Sequence, residues 1–453
     1  MDKKFFVWIL LAIIFFVSFD VVSATHVSCG DKIINNTTLD SNLLNCSSNG
    51  IDIGASGITL DCGGFNILGQ GGFGTGISNN GYDDIEIKDC NIQGFISGIG
   101  LQSTLNNILT SNTANANKYG IWISSLSTNN IITNNTANSN QNLGIIIFSS
   151  NNTLTSNTFS FNGVNGISLS TSSNNILTSN IANSNNYGIR ISFTSLNNIL
   201  TNNIANSNKY DGINIDSSSN NILTNNTANS NNLIGIQLST FSNNNTLISN
   251  TANSNSFYGI SISSSSNNIL TSNIANSSVY YDGIILSGSQ NNTLTSNIAN
   301  YNKKDGISIY SSSNNILTSN IANSNLNRGI YITSSIDNIL KSNTIKSNTN
   351  WGIFLSASSN NLIYNNYFRN IRNARDDGNN FWNVTKTPGE NIIRGHFIGG
   401  NFWSGYSGLD ADGDGIGDTQ IPYNSNGDIS NGGDFLPLVK SYRKTSCLNG
   451  AVC

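Results

Sequence analysis

The sequence predicts an all-β fold, a right-handed single-stranded parallel β-helix built from coils of about 23 residues. Two columns of residues support this prediction. Each NNILTSN-like block opens with an asparagine, and Asp337 fills one slot of a series that recurs every 22 to 24 residues: Asn106, Asn129, Asn151, Asn174, Asn197, Asn220, Asn244, Asn267, Asn291, Asn314 and Asn360. Each GIxI-like strand opens with a glycine that keeps step: Gly120, Gly144, Gly166, Gly188, Gly212, Gly235, Gly259, Gly283, Gly306, Gly329 and Gly352.

The spacing of apolar residues selects strands over helices. In GIWI, Ile121 and Ile123 alternate as in a β-strand. The polar half of the coil places single apolar residues, such as Leu109 and Ala114, between bends, which is too sparse for a helix face. Three short strands per coil, stacked about 4.8 Å from the next coil, fit this pattern. Leucine-rich repeats and calcium-binding nonapeptide helices need LxxLxL and GGxGxD, and the repeats contain neither.

The asparagines have a predicted structural role. Asparagine tolerates the left-handed backbone conformation at bends and bonds its own backbone there. Stacked asparagine side chains can also bond one another along the axis of a β-structure. We therefore expect the repeated polar blocks to form the bends of the solenoid.

The limits of the repeats divide the chain into four segments. Residues 1–24 have the basic start, apolar run and Val22-x-Ala24 ending of a cleaved signal peptide, with an uncleaved anchor as the alternative. Residues 25–75 are expected to form an N-terminal cap and the first coils, and residues 76–366 the β-helix repeats. Residues 367–453 are expected to form an exit loop and a Gly-, Asp- and aromatic-rich C-terminal cap, because an open sheet edge must be covered.

The same features predict the location of the protein. No second long apolar segment follows the first, so we expect no membrane span after signal cleavage and a secreted, cell-surface or periplasm-equivalent location. The chain has 20 Lys and Arg against 24 Asp and Glu, which is unlike the basic surface of nucleic-acid-binding proteins. We therefore expect no nucleic-acid partner. The oligomeric state stays open.

The six cysteines suit an oxidising compartment. We expect disulfides rather than a metal site, because the chain has no CxxC pair with a neighbouring histidine. The strands ITLDC and IEIKDC look equivalent, so stacked coils would bring their cysteines together. The cysteines cluster in the sequence as Cys29 with Cys46, Cys62 with Cys90, and Cys447 with Cys453.

The ends of the chain carry further motifs. THVSCGD, LLNC and GITLDCGGFNILGQG precede the repeats, and GGNFWSGYSGLDADGDGIGD and DFLPLV follow them. Together with the repeats, these motifs resemble NosD-type periplasmic β-helix proteins, especially their secreted archaeal relatives. The resemblance covers nearly all of the chain after residue 24. It implies a right-handed β-helix of the PbH1 type, named for carbohydrate-binding proteins and sugar hydrolases.

The resemblance also raises a copper-accessory function, because founding members of the family are described as copper-binding proteins for nitrous oxide reductase maturation. Copper sites use thiolate, thioether or imidazole ligands. This chain has two histidines, His26 and His396, and Met1 as its single methionine. We therefore expect no copper and keep the copper-accessory function as a second alternative.

The segment DADGDGIGD is the strongest candidate for a metal site. Carboxylates at alternate positions around a glycine turn can converge on one hard cation, as in a calcium loop. The last position of an EF-hand loop would be Ile421 instead of glutamate, so a further donor such as Asp428 or Asp434 would be needed. We expect a structural Ca²⁺ that fixes the C-terminal cap, with a solvated acidic turn as the alternative. The expected ligands are Asp410, Asp412, Asp414, the carbonyl of Ile416, and Asp418.

The residues just before the repeat glycines form a column along the rod. Its aromatic rings are expected to contact carbohydrate: Tyr119, Tyr187, Tyr258 and Trp351. Asp282 and Asp305 fall in consecutive coils, about 5 Å apart, which is near the separation of a retaining glycosidase pair. A polysaccharide hydrolase or lyase that uses these two residues with Arg328 or Asp211 is therefore the first alternative. The alternative is a purely structural role, in which the polar and aromatic residues before a turn glycine only cover the edge of the coil.

Two further patterns are repetitive. N-x-S/T sequons recur along the chain and predict a glycoprotein if some are modified, among them Asn36, Asn45, Asn134, Asn151, Asn225, Asn244, Asn276, Asn291 and Asn383. A threonine column after NNIL suggests binding to an ordered surface, and plain β-propensity is its alternative. The preferred interpretation is an exported, non-catalytic β-helix scaffold of the cell surface or envelope that contacts a polysaccharide or surface glycan.

Overall fold

The computed structural model describes residues 24–440, and these residues wind into a right-handed parallel β-solenoid. The predicted β-helix is therefore confirmed. The predicted signal peptide, apart from Ala24, and the cysteine pair Cys447 and Cys453 lie outside the described residues. Within residues 24–440, no helix has the length and apolar character needed to cross a membrane.

The first of three parallel sheets runs the length of the rod and has sixteen strands. Their bounds are Ala24–Thr25, Thr37–Leu39, Thr59–Asp61, Glu86–Lys88, Ile108–Thr110, Ile131–Thr133, Thr153–Thr155, Ile176–Thr178, Ile199–Thr201, Ile222–Thr224, Thr246–Ile248, Ile269–Thr271, Thr293–Thr295, Ile316–Thr318, Ile339–Lys341 and Leu362–Tyr364. From Thr59–Asp61 onward, each strand contributes one inward residue to the core. The other residues of these strands face the bends or the solvent.

The second sheet also has sixteen strands, and most of them are longer than those of the first sheet. Their bounds are Asp31–Ile33, Ile51–Ile53, Thr75–Asn80, Ser97–Gln102, Tyr119–Ile123, Leu143–Ile147, Asn165–Ser170, Tyr187–Ser192, Ile213–Asp216, Ile234–Ser239, Tyr258–Ser263, Ile284–Ser287, Ile307–Tyr310, Arg328–Thr333, Trp351–Ser356 and Ala374–Asp376. With sixteen strands about 4.8 Å apart, the rod is about 70 Å long.

The third side of the coil is narrower. It has full strands only near the two ends of the rod, and single parallel bridges connect the coils between Thr113 and Thr344. An antiparallel pair, Thr387–Pro388 with Phe397–Ile398, and a short 3₁₀ helix, Ser425–Gly427, belong to the C-terminal segment. The strands of the third side are Leu43–Cys46, Asn66–Gly69, Asn91–Gln93, Thr113–Ala114, Thr344–Lys346, Tyr367–Arg369 and Phe402–Trp403.

The core is a set of stacked small and medium apolar side chains. In the first sheet, Leu109, Ile132 and Leu154 pair in register and are fully buried. The third side contributes alanines, and the repeat glycines face them across a narrow corner. A Cβ added to Gly188 would lie 2.8 Å from the Cβ of Ala205, so that corner closes only when one partner lacks a side chain.

Asparagine ladders hold the bends, as the sequence predicts. The asparagine that opens each NNILTSN-like block has a positive φ, such as 57° at Asn197. Other asparagines point inward and are buried. At Asn203, Nδ2 donates to Oδ1 of Asn226 at 3.0 Å and to the carbonyl of Leu177 at 2.9 Å. Three such ladders satisfy polar groups that would otherwise be buried without partners.

The first coils are tied by disulfides. Cys29 pairs with Cys46 and Cys62 pairs with Cys90, with Cα separations of 5.3 and 4.8 Å. Both pairs join cysteines that cluster in the sequence, which by itself left the connectivity open among the 15 pairings that six cysteines allow. The second bond joins residues that follow the neighbouring first-sheet strands Thr59–Asp61 and Glu86–Lys88, so it fixes two successive coils to each other.

Large aromatic residues close the C-terminal end of the core. Trp403 stacks on Phe368 at 4.5 Å and packs against Trp382 at 5.5 Å. Each indole donates its N–H to a buried carboxylate, Trp382 to Asp376 at 3.1 Å and Trp403 to Asp434 at 2.7 Å. These bonds satisfy both the indole nitrogens and the two carboxylates inside the cap.

Candidate functional site

The outer side of the second sheet collects the most varied side chains of the coils. We call it the second-sheet face and define it as the outward residues of the second-sheet strands and of the bend that leads into each strand. Strand pairing aligns the residues before the repeat glycines, for example Tyr119 with Leu143 and Arg328 with Trp351. A second outward column lies two residues after each glycine and includes Trp122. Both columns therefore run along the rod.

The four aromatic residues expected to contact carbohydrate all lie on this face. Tyr119, Tyr187 and Tyr258 are half-buried and present part of each ring to solvent. Trp351 is only 8% exposed, because Arg372 and Arg375 lie over its ring at 5.1 and 5.9 Å. Three of the four rings are therefore open to a ligand as they stand.

A hollow of about 290 Å³ opens beside Tyr119. It lies over Gly100, which has no side chain in the outward column, and the rings of Tyr119 and Trp122 meet edge to face at 5.0 Å along one wall. The side chains of Ser78 and Gln102 contribute polar groups to the lining. The hollow thus combines two aromatic rings with hydroxyl and amide groups.

Trp122 was not among the residues that the sequence predicted to contact carbohydrate. The signal was present, because alternation in GIWI turns Trp122 outward when Ile121 and Ile123 face the core. The neighbouring ring of Tyr119 is held in place, since Nδ2 of Asn142 lies 3.3 Å from its hydroxyl. Gly100 was also overlooked, since the effect of a missing side chain depends on its neighbours in other coils.

The aspartates of the column are buried and bond the backbone. Asp211 and Asp282 are 3% exposed and Asp305 is 0% exposed. Each accepts an N–H from the next coil, so Asp282 Oδ1 lies 3.0 Å from the nitrogen of Asp305, and Asp305 Oδ1 lies 3.0 Å from that of Arg328. Burial raises the pKa of Asp211 to about 6, and burial with the nearby Asp305 raises the pKa of Asp282 to about 6.

Arg328 covers Asp305 with a two-point ion pair. Its Nε lies 2.9 Å from Oδ1 and its NH2 nitrogen lies 2.8 Å from Oδ2. Asn327 donates a further bond to Oδ1 at 2.9 Å. The structure thus brings Asp282, Asp305 and Arg328 together in consecutive coils, while Asp211 lies three coils away from Asp282. Most of the bonds that these carboxylates accept come from the next coil, and Asp211 also accepts a bond from Nδ2 of Asn214 in its own coil at 2.9 Å.

The acidic loop brings together three of the predicted calcium ligands. Carboxylate oxygens of Asp410, Asp412 and Asp418 lie within 4.8 Å of one another. Asp414 instead pairs with Lys386 and accepts the backbone N–H of Ile416. Asp434, one of the two further donors considered, is engaged elsewhere, because its carboxylate is buried in the cap and accepts bonds from Asn401 and Trp403.

The donors of the described residues do not fit copper. His26 and His396 belong to opposite ends of the rod, and the four cysteines between residues 24 and 440 are all in disulfides. The acidic loop offers oxygen ligands, which suit hard cations rather than copper. We therefore derive no copper chemistry for the described part of the chain.

Among solved structures, similarity is distant. A double mutant of the periplasmic alginate epimerase AlgG is 13% identical with a TM-score of 0.42, and the match covers 75% of this chain and 78% of that one. A mannuronic-acid-specific family 6 polysaccharide lyase from human gut microbiota is 13% identical with a TM-score of 0.42, covering 64% and 82%. The A-module of the Azotobacter vinelandii mannuronan C-5 epimerase AlgE6 is 12% identical with a TM-score of 0.35, covering 78% and 89%. These values are too low to transfer a function.

A family model matches the sequence itself over most of its length. A search of curated proteins gave no match. The model described as periplasmic copper-binding protein (NosD) matches residues 21–199 and 240–408, and the model of the right-handed β-helix region matches residues 137–276. Since the NosD model spans well over half of the sequence, this chain belongs to the NosD family.

Proposed function

We propose that this NosD-family chain is an exported β-helix protein of the envelope or cell surface that binds carbohydrate on its second-sheet face and does not cleave it. The observation that carries the proposal is the hollow over Gly100 with the rings of Tyr119 and Trp122 on its wall. Disulfides in the first coils suit an oxidising, extracytoplasmic compartment.

The chemistry of the hollow favours a sugar ring. Aromatic side chains offer large apolar faces with a defined geometry, and the C–H faces of sugars are apolar. Ser78 and Gln102 carry donors and acceptors that can bond sugar hydroxyls at the same place. The other surface of the rod lacks this combination, because the first-sheet strands from Ile108–Thr110 to Ile316–Thr318 present isoleucine and threonine.

Filling the hollow tests the proposal. Gly100→Trp should weaken retention on an immobilised polysaccharide panel at least about tenfold, since the new ring would occupy the space of the ligand. A Cβ at this position would meet Cγ2 of Thr75 at 3.2 Å, so the backbone needs only a small adjustment. Retention is measured by affinity electrophoresis, with thermal melting to show that the variant is folded.

Ile269→Trp is the matched control, because it adds the same ring on the outer side of the first sheet, where Ile269 is 46% exposed. Retention should stay within about twofold of the unmodified protein. The same incubations are assayed for new reducing ends. New ends that disappear in Asp282→Asn would establish the hydrolase or lyase alternative instead.

We further propose that the loop of Asp410, Asp412 and Asp418 binds a structural Ca²⁺. Their oxygens already converge, and Asp410 is held by N–H groups of Gly413 and Gly415 at 2.8 Å each. Carboxylate oxygens in such a cluster repel one another, and a divalent cation would remove that repulsion.

Calcium should raise the melting temperature by at least about 2 °C relative to chelator, because binding to the folded state alone stabilises it. Asp410→Asn should abolish this difference, as measured by differential scanning fluorimetry. Asp337→Asn is the control, since Asp337 occupies a bend slot that holds asparagine in other coils. A melting temperature that chelator leaves unchanged would contradict the calcium site.

A further inference from the structure

We infer that the second-sheet face binds an anionic polysaccharide, carboxylated or sulfated, as an extended chain along the rod. The inference rests on the proposed carbohydrate function and adds the charge class and the direction of the ligand. It is carried by the positions of the basic residues, by the rings beneath them and by the burial of the nearby acids.

The basic residues of the central coils all belong to one face. Between residues 95 and 336, every lysine and arginine lies in a second-sheet strand or in the bend leading into one: Lys118, Arg190, Lys209, Lys303, Lys304 and Arg328. Over the same stretch, the first-sheet strands contain no charged residue. The positive charge of these coils is therefore concentrated on the face that carries the hollow.

Most of these cations lie over aromatic rings. The distances from the charged group to the ring centroid run from 3.5 to 5.5 Å, and the pattern continues into the last coils. Such stacking fixes a long side chain and leaves hydrogen-bond donors at the surface. The pairs are Lys118 with Tyr119, Arg190 with Tyr187, Lys209 with Tyr210, Lys304 with Tyr281, Arg328 with Tyr331, Arg372 with Trp351 and Arg375 with Phe354.

Asp305 offsets the charge of Arg328, but the acids of the face do not cancel the charge of the other five cations at the surface. Asp211, Asp282 and Asp305 are at most 3% exposed and bond backbone groups of the next coil. Asp216 is the remaining acid between residues 95 and 336, and it is half-buried and accepts a bond from Ser239. The face therefore presents positive charge to solvent although the whole chain has a formal charge of −4.

The length of the basic track fits a polymer. Lys118 precedes the strand Tyr119–Ile123 and Arg375 lies in the strand Ala374–Asp376, which is eleven steps further along the second sheet. At about 4.8 Å per step, the track is about 50 Å long. Several separated cations along one chain of sugars would add their weak contacts through multivalency.

Binding is measured by affinity electrophoresis and by surface plasmon resonance with four probes: polygalacturonate, dextran sulfate, neutral dextran and duplex DNA. We expect one or both acidic polysaccharides to bind at least about tenfold more tightly than dextran, and their binding to weaken steeply with added NaCl. Polygalacturonate and dextran sulfate separate a carboxylated ligand from a sulfated one. Equal binding of duplex DNA would overturn the inference, since the face would then recognise polyanions without regard to sugar.

Variants that remove equal charge from different faces of the rod show which face contacts the acidic polysaccharide. The triple variant Lys118→Gln, Lys209→Gln, Lys304→Gln should lose at least about tenfold in affinity for the acidic probe. The control Lys341→Gln, Lys346→Gln, Arg369→Gln removes the same net charge from the first sheet and the third side, and should lose less than about twofold. Equal losses in the two triple variants would overturn the inference. Should the first triple variant fail to fold, the exposed pair Arg372→Gln, Arg375→Gln provides the same comparison.

The same experiments distinguish binding of an anionic polysaccharide from the proposed carbohydrate binding in general. Dextran binding as tight as that of the acidic probes, and sensitive to Gly100→Trp, would overturn the charge assignment and leave carbohydrate binding standing. Failure of every polysaccharide to bind would overturn both.

Discussion

Replacing Asn203 with alanine should lower the free energy of unfolding by about 4 kcal/mol, because several buried polar groups lose their partners together. The backbone nitrogen and Nδ2 of Asn180 both donate to Oδ1 of Asn203. Nδ2 of Asn203 in turn donates to Leu177 and Asn226. Alanine leaves these groups buried and cannot admit a water molecule to each of them.

The adjacent asparagine supplies the control. Asn202 is exposed and has a φ of 57°, so Asn202→Gly should change stability by less than about 1 kcal/mol, since glycine accepts the same conformation. Chemical denaturation measures the difference, and hydrogen exchange at the flanking coils shows whether the loss is local, as expected in a solenoid. Equal effects of the two substitutions would mean that the ladder contributes no specific stability.

Arg328→Met should lower the free energy of unfolding by about 3 kcal/mol, because it leaves the fully buried carboxylate of Asp305 without its counter-charge. The backbone N–H of residue 328 and the amide of Asn327 would still bond Asp305, which limits the loss. The same substitution at the exposed Arg375 should cost less than about 1 kcal/mol, although Arg375 also lies over Phe354.

A second substitution checks the cause. Asp305→Asn in the Arg328→Met background should recover part of the lost stability, since a neutral amide keeps an acceptor for the next coil and carries no charge to bury. Denaturation midpoints of the single and double variants give the coupling energy. If Arg328→Met leaves the free energy of unfolding unchanged, the ion pair does not explain why Asp305 is buried. The alternative that this carboxylate takes part in a reaction would then be favoured.

Much of the fold is predictable from the sequence because the solenoid repeats its physical constraints in every coil. Residues 23 positions apart meet the same neighbours, so aligned columns reveal inward leucines, bend asparagines and corner glycines without any long-range information. The same alignment indicates that Cys62 can lie near Cys90, since the two residues follow strands that lie side by side, but it does not fix the pairing of all six cysteines.

The depth of the acidic side chains was harder to predict. Alignment of the repeats places Asp282 beside Asp305, but it does not show whether each carboxylate is buried in the bend or exposed to solvent. Coil length does not reveal it either. The intervals Gly188 to Gly212 and Gly259 to Gly283 span 24 residues, whereas the interval Gly283 to Gly306 spans 23. The aspartate before the second glycine accepts a backbone N–H from the next coil in all three.

The asparagine ladders affect how the number of coils in such a solenoid can change. Each coil donates to the following one and accepts from the preceding one through the same groups, as between Asn180, Asn203 and Asn226. The 15-residue stretches beginning at Thr171 and Ser311 differ only at their first residue, so distant coils present nearly interchangeable surfaces. Duplicating or deleting one coil would rejoin matching partners at the seam, and the rod can therefore lengthen or shorten in whole turns while its two caps stay the same.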